Sequence, residues 1–277
     1  MSKLYLVGTP IGNLGDLSPR AVETLRTVDF IAAEDTRVTL KLLNRFEIAK
    51  PMVSYYQHNL HERGGQILTR ILSGESCALV TDAGMPAISD PGEDLVRLCA
   101  GAGIEIVSVP GPSAAVTALA MSGLGTSRFT FEGFLSTNKQ SRRAHLESLL
   151  NERRTMIFYE APHKLKTTLA DFASAFGPER RIALCRELTK LHEEIIRTTL
   201  SQAIARYADD AAAPRGEFVL VVEGAPETIA PAVTIEQAVS LAQAFVAKGQ
   251  STSAAARQAA QQTGCKKSDI YRRLTQG

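Results

Sequence analysis

Lys3-Leu-Tyr-Leu-Val-Gly-Thr-Pro-Ile-Gly-Asn-Leu-Gly-Asp16 decides how this chain is read. Its first five residues are β-prone. Gly8 breaks the run into a turn-rich loop, and Ser18-Pro19 then opens a helix with Ser18 at the cap and Pro19 at the first helical position. A strand that ends on such a loop and feeds a helix is the first half of a βαβ unit. The rhythm continues: Phe30–Ala33, Cys77–Val80 and Ile104–Val109 read as strands. Helices run between them, one through Leu40, Leu42, Leu43 and Phe46, another from Asp90-Pro91 through Leu95, Val96, Leu98 and Cys99. Alternation of this kind predicts an α/β domain with a largely parallel sheet over residues 1–117.

A second α/β domain is expected over residues 118–225. Its strand candidates are Phe129–Phe134, Met156–Tyr159, Ile182–Cys185, Ile195–Thr199 and Phe218–Val222. The last three have one helix between them, Ser201–Tyr207, and strands this close favour a mixed or antiparallel sheet. The small-residue helix Ser113–Met121 is the expected join. Residues 224–233 read as a linker, so 226–277 forms a linker plus a helical module. In that module Thr234 caps a helix to Ala247, Ser251–Gln262 forms a second, Gly264 turns the chain, and Ser268 caps a third through Leu274. Arg257, Lys266, Lys267, Arg272 and Arg273 face a single acid, Asp269, which gives the module a basic, helix-turn-helix-like character.

Composition bounds the function classes. The chain has 277 residues, 44% hydrophobic and 22% charged, which supplies a core and excludes wholesale disorder. Thirty-one basic residues against 29 acidic leave a net charge of +2, which excludes a uniformly basic coat but not a local basic patch. Apolar runs such as Phe218–Val222 fall far short of the roughly 20 residues of a membrane span. The apolar stretch at the N-terminus is too short for a signal-peptide core. Cys77, Cys99, Cys185 and Cys265 show no C-x-x-C spacing, which suggests a reducing compartment; a cytoplasmic protein without a metal site is expected. His58 and His61 read as solvated helix residues, since no third ligand lies at a metal-like spacing.

Three strand-to-helix loops carry the chemistry. Gly8–Asp16 fits neither G-x-G-x-x-G nor a Walker loop, so dinucleotide binding and NTP hydrolysis lose their usual support. Thr81-Asp-Ala-Gly-Met-Pro-Ala-Ile-Ser-Asp-Pro-Gly92 holds more turn chemistry than a plain connection needs. In Val109-Pro-Gly-Pro-Ser-Ala-Ala115, Ser113 reads as a helix cap or as a ligand donor. Three such loops at one sheet edge point to a small-molecule site.

With Leu4–Leu14, Ala33-Glu-Asp-Thr-Arg37, Asp82–Gly92, Val109–Ala114, Phe158-Tyr-Glu-Ala-Pro-His163 and Arg186–Glu193 in this order, the chain resembles the tetrapyrrole methylase superfamily over about residues 3–225. Within it, the motifs are similar to the branch that acts on small-subunit ribosomal RNA. Met85 stands where tetrapyrrole enzymes usually carry the Asp of Gly-Asp-Pro, which suits the RNA branch. The resemblance implies S-adenosylmethionine in a cleft between the two α/β domains, and a homodimer. Carried over by position, the cofactor residues are Pro10, Ile11, Gly84, Met85, Ile88, Ser113, Ala114, Tyr159, Glu160, Glu217 and Phe218. The implied reaction is 2′-O-methylation of a cytidine in 16S ribosomal RNA, with the 30S particle as partner.

A ribose hydroxyl is a poor nucleophile, so a base or cation should help with its proton. Lys190 is the candidate, though between Glu187 and Glu193 it equally suits a phosphate contact or a salt bridge. Glu34 and Asp35 could position the nucleotide, or Asp35 could cap a helix. Arg37 and the tail residues Lys266, Lys267, Arg272 and Arg273 are the RNA-contact candidates. Two competing readings stay open at this point: a precorrin-type carbon methyltransferase, and a non-enzymatic, ligand-sensing DNA-binding regulator.

Overall fold

A computed structural model describes residues 2–209, 214–226 and 233–276. The linker read at 224–233 lies mostly outside the described residues. Two compact units are present, Met1–Ala225 and Pro226–Gly277.

The first unit contains two five-stranded sheets. Sheet one takes β1 (Lys3–Val7), β2 (Phe30–Ala33), β3 (Met52–Ser54), β4 (Cys77–Val80) and β5 (Glu105–Val109) in the order β3-β2-β4-β1-β5. Every pairing in it is parallel. β2 and β4 are buried throughout, as expected for inner strands covered on both faces. Helices α1 (Pro19–Thr27) and α2 (Thr36–Arg45) pack on one face and α3 (Leu60–Leu72) and α4 (Gly92–Gly101) on the other. Ser18 accepts the Ala21 N–H and Pro19 holds the first helical position, so α1 starts where its sequence requires. β3 has only three residues after Pro51, too few to show a period. His58 sits exposed in the turn before α3 rather than in a helix, contrary to expectation; His61 lies in α3.

Helix α5 (Ala114–Ser122) starts at the edge of sheet one and packs against sheet two. Sheet two takes β6 (Phe129–Phe134), β7 (Thr155–Glu160), β8 (Arg181–Arg186), β9 (Glu194–Thr199) and β10 (Phe218–Val222) in the order β6-β7-β10-β8-β9. β6 and β7 are parallel; the remaining pairs are antiparallel. Alternate residues of its central strands enter different cores. Met156, Phe158, Leu184 and Leu220 pack with α6 (Lys139–Ser148), α7 (Leu165–Phe176) and α8 (Leu200–Arg206). Ile157, Ala183, Cys185, Val219 and Val221 face α5. Apolar burial on both faces explains the unbroken Phe-Val-Leu-Val-Val of β10.

The second unit, described by itself, has α9 (Ile235–Ala247), α10 (Thr252–Thr263) and α11 (Lys267–Gln276) around Ala238, Ala242, Ala255, Ala256, Ala259 and Ile270. Thr234 and Gln237 form a capping box. Ser268 is not the cap of α11: the helix already includes Lys267, and Lys266 C=O accepts from Asp269 and Ile270.

Gly8 and Gly111 fix how closely loops of sheet one approach. A Cβ on Gly111 would fall 2.9 Å from Gly8 backbone atoms, and one on Gly8 would fall 2.7 Å from Gly111. Gly65, exposed inside α3, has nothing within 4 Å of such a Cβ. Gly111→Ala is therefore expected to cost about 1–3 kcal/mol in urea unfolding. Gly65→Ala should stabilise by about 0.5–1 kcal/mol. Equal midpoints for the two variants contradict the close approach.

Candidate active site

In a parallel sheet every strand delivers its carboxyl end to one edge, and ligands of such sheets bind there. β4 and β5 flank β1, so the loops after these strands are neighbours. Thr9 N–H donates to Gly84 C=O at 2.9 Å and Gly84 N–H returns the bond to Thr9 C=O at 3.1 Å. Gly8 N–H donates to Val109 C=O at 3.0 Å. Met85 Sδ accepts the Gly111 N–H at 3.2 Å, so this side chain plugs the junction of all three loops. Asn13 N–H donates to Thr189 Oγ1 at 3.1 Å, joining the first loop to a loop of sheet two.

Between that edge and sheet two lies a cavity of about 600 Å³. Ile11, Met85, Ile88, Phe134, Tyr159, Leu188, Phe218 and Val219 supply apolar wall. Tyr159 is held edge-on by Phe131 and Phe134, with ring centroids 5.0 and 5.5 Å away. Burial pushes its phenol up, opposed by a hydrogen bond from Ala115. Glu34, Asp82, Asp90, Glu160 and Glu217 also line the cavity, and among the described residues no Lys or Arg does. The cavity thus favours a cation with an apolar body.

Each carboxylate is held by local structure. Glu34, just beyond β2, accepts from Thr81 Oγ1 at 2.7 Å. Asp82 accepts the Asp35 N–H at 3.1 Å, and burial followed by the charge of Glu34 raises its pKa. Glu160, buried, accepts from Ala161 N–H and from Thr168 Oγ1, and the Thr168 hydroxyl in turn accepts from Arg142. Non-glycine residues with positive φ cluster here: Ala87 (67°), Ser89 (62°), Glu187 (51°) and Thr189 (65°), against Glu47 elsewhere among the described residues. Strain concentrated in two facing loops is typical of functional sites.

The structure brings Ile11, Gly84, Met85, Ile88, Ser113, Ala114, Tyr159, Glu160, Glu217, Phe218 and Glu34 to this one cavity. Pro10 is turned into a separate depression of about 280 Å³ with Thr9, Gly12 and Leu14, which shares only Thr81 and Asp82 with the main cavity. Ser113 stands at the N-cap position of α5, yet its side chain accepts no bond from the helix, so capping does not account for its hydroxyl. His163 lines the cavity from the short 3₁₀ turn Pro162–Lys164. Asp82, Asp90, Leu188 and Val219 line it without having been singled out in the sequence, and they lie on the same loops and strand as residues that were.

Three candidates are held by local partners. Lys190 lies outside the cavity lining and bonds Glu187 Oε1 at 2.9 Å and Glu217 Oε2 at 2.8 Å. Burial alone would lower its pKa, but the hydrogen bonds to both carboxylates outweigh it and raise the value. A firmly protonated ammonium cannot accept a proton, so this geometry does not support Lys190 as a base. Asp35 caps α2 and chelates the Arg37 guanidinium, whose phosphate role is thereby weakened. In the helical module Lys266, Lys267 and Arg272 are exposed, while Arg273 is tied to Glu236 at 2.6 Å. Among the described residues no cluster of three metal-ligating side chains occurs.

The family model of Tetrapyrrole (Corrin/Porphyrin) Methylases matches residues 3–204. A protein of Synechocystis sp. named "Ribosomal RNA small subunit methyltransferase I" is 49% identical over 98% of this chain and 96% of its own length. One of the same name from Thermotoga maritima is 47% identical over 81% of this chain and 99% of its own. The crystal structure of uroporphyrin-III-C-methyltransferase from Thermus thermophilus shares the fold, with TM-score 0.57, 19% identity, and coverage of 80% of this chain and 94% of that one.

The Asp35–Arg37 clasp is testable. Hydrogen bonds from the Arg37 side chain and backbone hold the Asp35 carboxyl at about 2. A depressed carboxylate stabilises fully above its unfolded value, and the contribution disappears as pH falls toward the folded one. Arg37→Ala should move the Asp35 titration, followed by carbon-detected NMR, up toward the ordinary value of about 4. An unmoved inflection contradicts the clasp.

Proposed function

The chain belongs to the tetrapyrrole (corrin/porphyrin) methylase family, and on that premise we propose that it methylates the ribose 2′ oxygen of a cytidine in small-subunit (16S) ribosomal RNA. It is a methyltransferase dependent on S-adenosylmethionine. The observation that carries the cofactor assignment is the cavity chemistry, five carboxylates set in apolar wall without Lys or Arg. That donor set fits a ligand with a sulfonium, an ammonium, ribose hydroxyls and a flat base. The substrate reading is supported by the shared name of the relatives.

When bound, S-adenosylmethionine supplies a methyl group on positively charged sulfur, activated for displacement by an oxygen nucleophile. The chain supplies alignment and a proton acceptor. Ile11, Met85, Ile88, Tyr159 and Phe218 provide the walls that hold the cofactor, with Gly84, Ser113 and Ala114 offering backbone and hydroxyl groups. Thr81 Oγ1 fixes Glu34 through Oε2, leaving Oε1 to take the proton of the attacking hydroxyl. Lys190 secures Glu217 and the loop that carries Glu187, acting on orientation and not as base.

The lobes 1–117 and 118–225 enclose this site, and the module at 226–277 engages RNA through Lys266, Lys267 and Arg272. The protein works in the cytoplasm, as a homodimer, on RNA within the 30S particle. No helix among the described residues is long and apolar enough to cross a membrane. A tetrapyrrole precursor is disfavoured as substrate, because its several carboxylates would meet those of the cavity.

Incubation with methyl-labelled S-adenosylmethionine and either 30S particles or a tetrapyrrole should label only the ribosomal RNA. Label solely in the tetrapyrrole, or duplex DNA binding with no turnover, contradicts the assignment. Glu34→Gln should lower kcat about 10²- to 10⁴-fold while S-adenosylhomocysteine still binds. Lys190→Arg should retain most activity, whereas complete loss would restore the base role. Deleting 226–277 should weaken and desensitise to salt the engagement of 30S particles with cofactor affinity preserved; calorimetry showing lost cofactor binding would argue against a separate module.

A further inference from the structure

The depression that takes in Pro10 has its own walls and its own chemistry. It measures about 280 Å³ and lies between the first loop and α2. Pro10, Gly12 and Leu14 form one wall. That wall is stiff, because Asn13 accepts the Gly15 N–H at 2.9 Å and the chain closes a 3₁₀ turn over Leu14–Asp16. Val38, Thr39 and Lys41 of α2 stand on the other side. Asp35 fixes this side twice: its carboxylate caps α2, and its N–H donates to Asp82 Oδ1 at 3.1 Å. Thr81 and Asp82 are the border shared with the main cavity.

Leu14 and Val38 are exposed, so both walls offer apolar surface. Thr39 is only 3% exposed, yet among the described residues no hydrogen bond engages its hydroxyl. A buried hydroxyl without a partner is uncommon in native folds and marks a place where a ligand or water belongs. Asp82 gives Oδ1 to the Asp35 N–H, and Oδ2 meets no donor among the described residues. Lys41 is exposed and brings an ammonium group, which the lining of the main cavity lacks. A splayed-out nucleotide needs this set: apolar side chains beside the ring, polar groups on the base edge, and a cation for the phosphate. The volume falls just below that of pockets for drug-sized ligands, which suits a single ring.

We propose that this depression receives the cytosine of the target nucleotide, with Asp82 Oδ2 accepting its exocyclic amine and the Thr39 hydroxyl engaging the same base edge. The proposal rests on the reading of the chain as a cytidine 2′-O-methyltransferase. The base lies on one side of the Thr81–Asp82 border and the ribose on the other, beside the Glu34 carboxylate that Thr81 Oγ1 holds. Uracil carries a carbonyl oxygen where cytosine carries the amine. It sets an acceptor against a carboxylate and is rejected.

The test compares kcat/KM of the full-length protein on reconstituted 30S particles that carry cytidine or uridine at the methylated position. Wild-type protein should favour cytidine at least about tenfold. In Asp82→Asn the amide oxygen can keep the Asp35 N–H, and the NH₂ group turns the free acceptor into a donor. A donor suits uracil and not the cytosine amine, so the preference should shrink to about twofold or reverse. General damage to the fold would slow both substrates alike and leave their ratio unmoved. Thr39→Val should raise KM for cytidine particles about three- to tenfold, with S-adenosylhomocysteine affinity within about twofold of wild type by calorimetry. If Asp82→Asn fails to fold, Thr39→Val carries the test. Indifference of the wild type between the two particles overturns the proposal, as does an unchanged preference in Asp82→Asn. An unaltered KM in Thr39→Val also overturns it, and lost S-adenosylhomocysteine affinity there would make the depression part of the cofactor site instead. Wild-type protein that methylates neither particle overturns the functional reading itself, and this inference with it.

Discussion

The backbones of Gly8 and Gly111 touch, and everything at the proposed site follows from that approach. It allows the loops after β1 and β5 to lie against each other. The reciprocal bonds between Thr9 and Gly84 then fasten the loop after β4 to the same pair. Met85 completes the junction by accepting the Gly111 N–H and lying over Gly8. An aspartate at position 85 would place a charge where a soft, adaptable side chain now fills space. The substitution that separates this chain from the wider superfamily pattern is thus a packing element of the loop junction.

Rigid loops let the cavity keep charges that a flexible surface would relax. Glu34 and Asp82 stand together near Asp90, and Glu34 raises the pKa of both aspartates. On the opposite side, Glu187 accepts both the Glu217 N–H and the Lys190 ammonium from a left-handed backbone. Lys190 thereby neutralises part of the acidity near Glu217, leaving the Glu34 side the more negative. A positively charged ligand would be drawn toward that side.

Much of this was legible in the sequence. Strand-loop-helix alternation through Val109 identified the parallel sheet, and the crowding of Ile182–Val222 signalled the mixed one. Loops rich in Gly and Pro marked the edge where the cavity forms. Other features depend on tertiary contacts and had no local signal. Met52–Ser54 is too short to show a period, and α6, with Lys139, Arg142 and Arg143 and only Leu146 buried, presents no apolar stripe to read. Lys190 appears from its neighbours to lie between Glu187 and Glu193, but its second partner is Glu217, 27 residues away. Pro10 and Ile11 are adjacent, yet the loop turns them into different depressions. Asp90 in Asp-Pro-Gly reads as the opening of a helix; only the packed loop shows that one of its oxygens is unmatched.

The direct measurement is a crystal structure of the protein with S-adenosylhomocysteine. The expected result places the ligand in the 600 Å³ cavity, in contact with residues of the 81–92 loop and with Tyr159 or Glu160. A fully occupied ligand elsewhere on the chain, with that cavity holding only water, contradicts the proposed site.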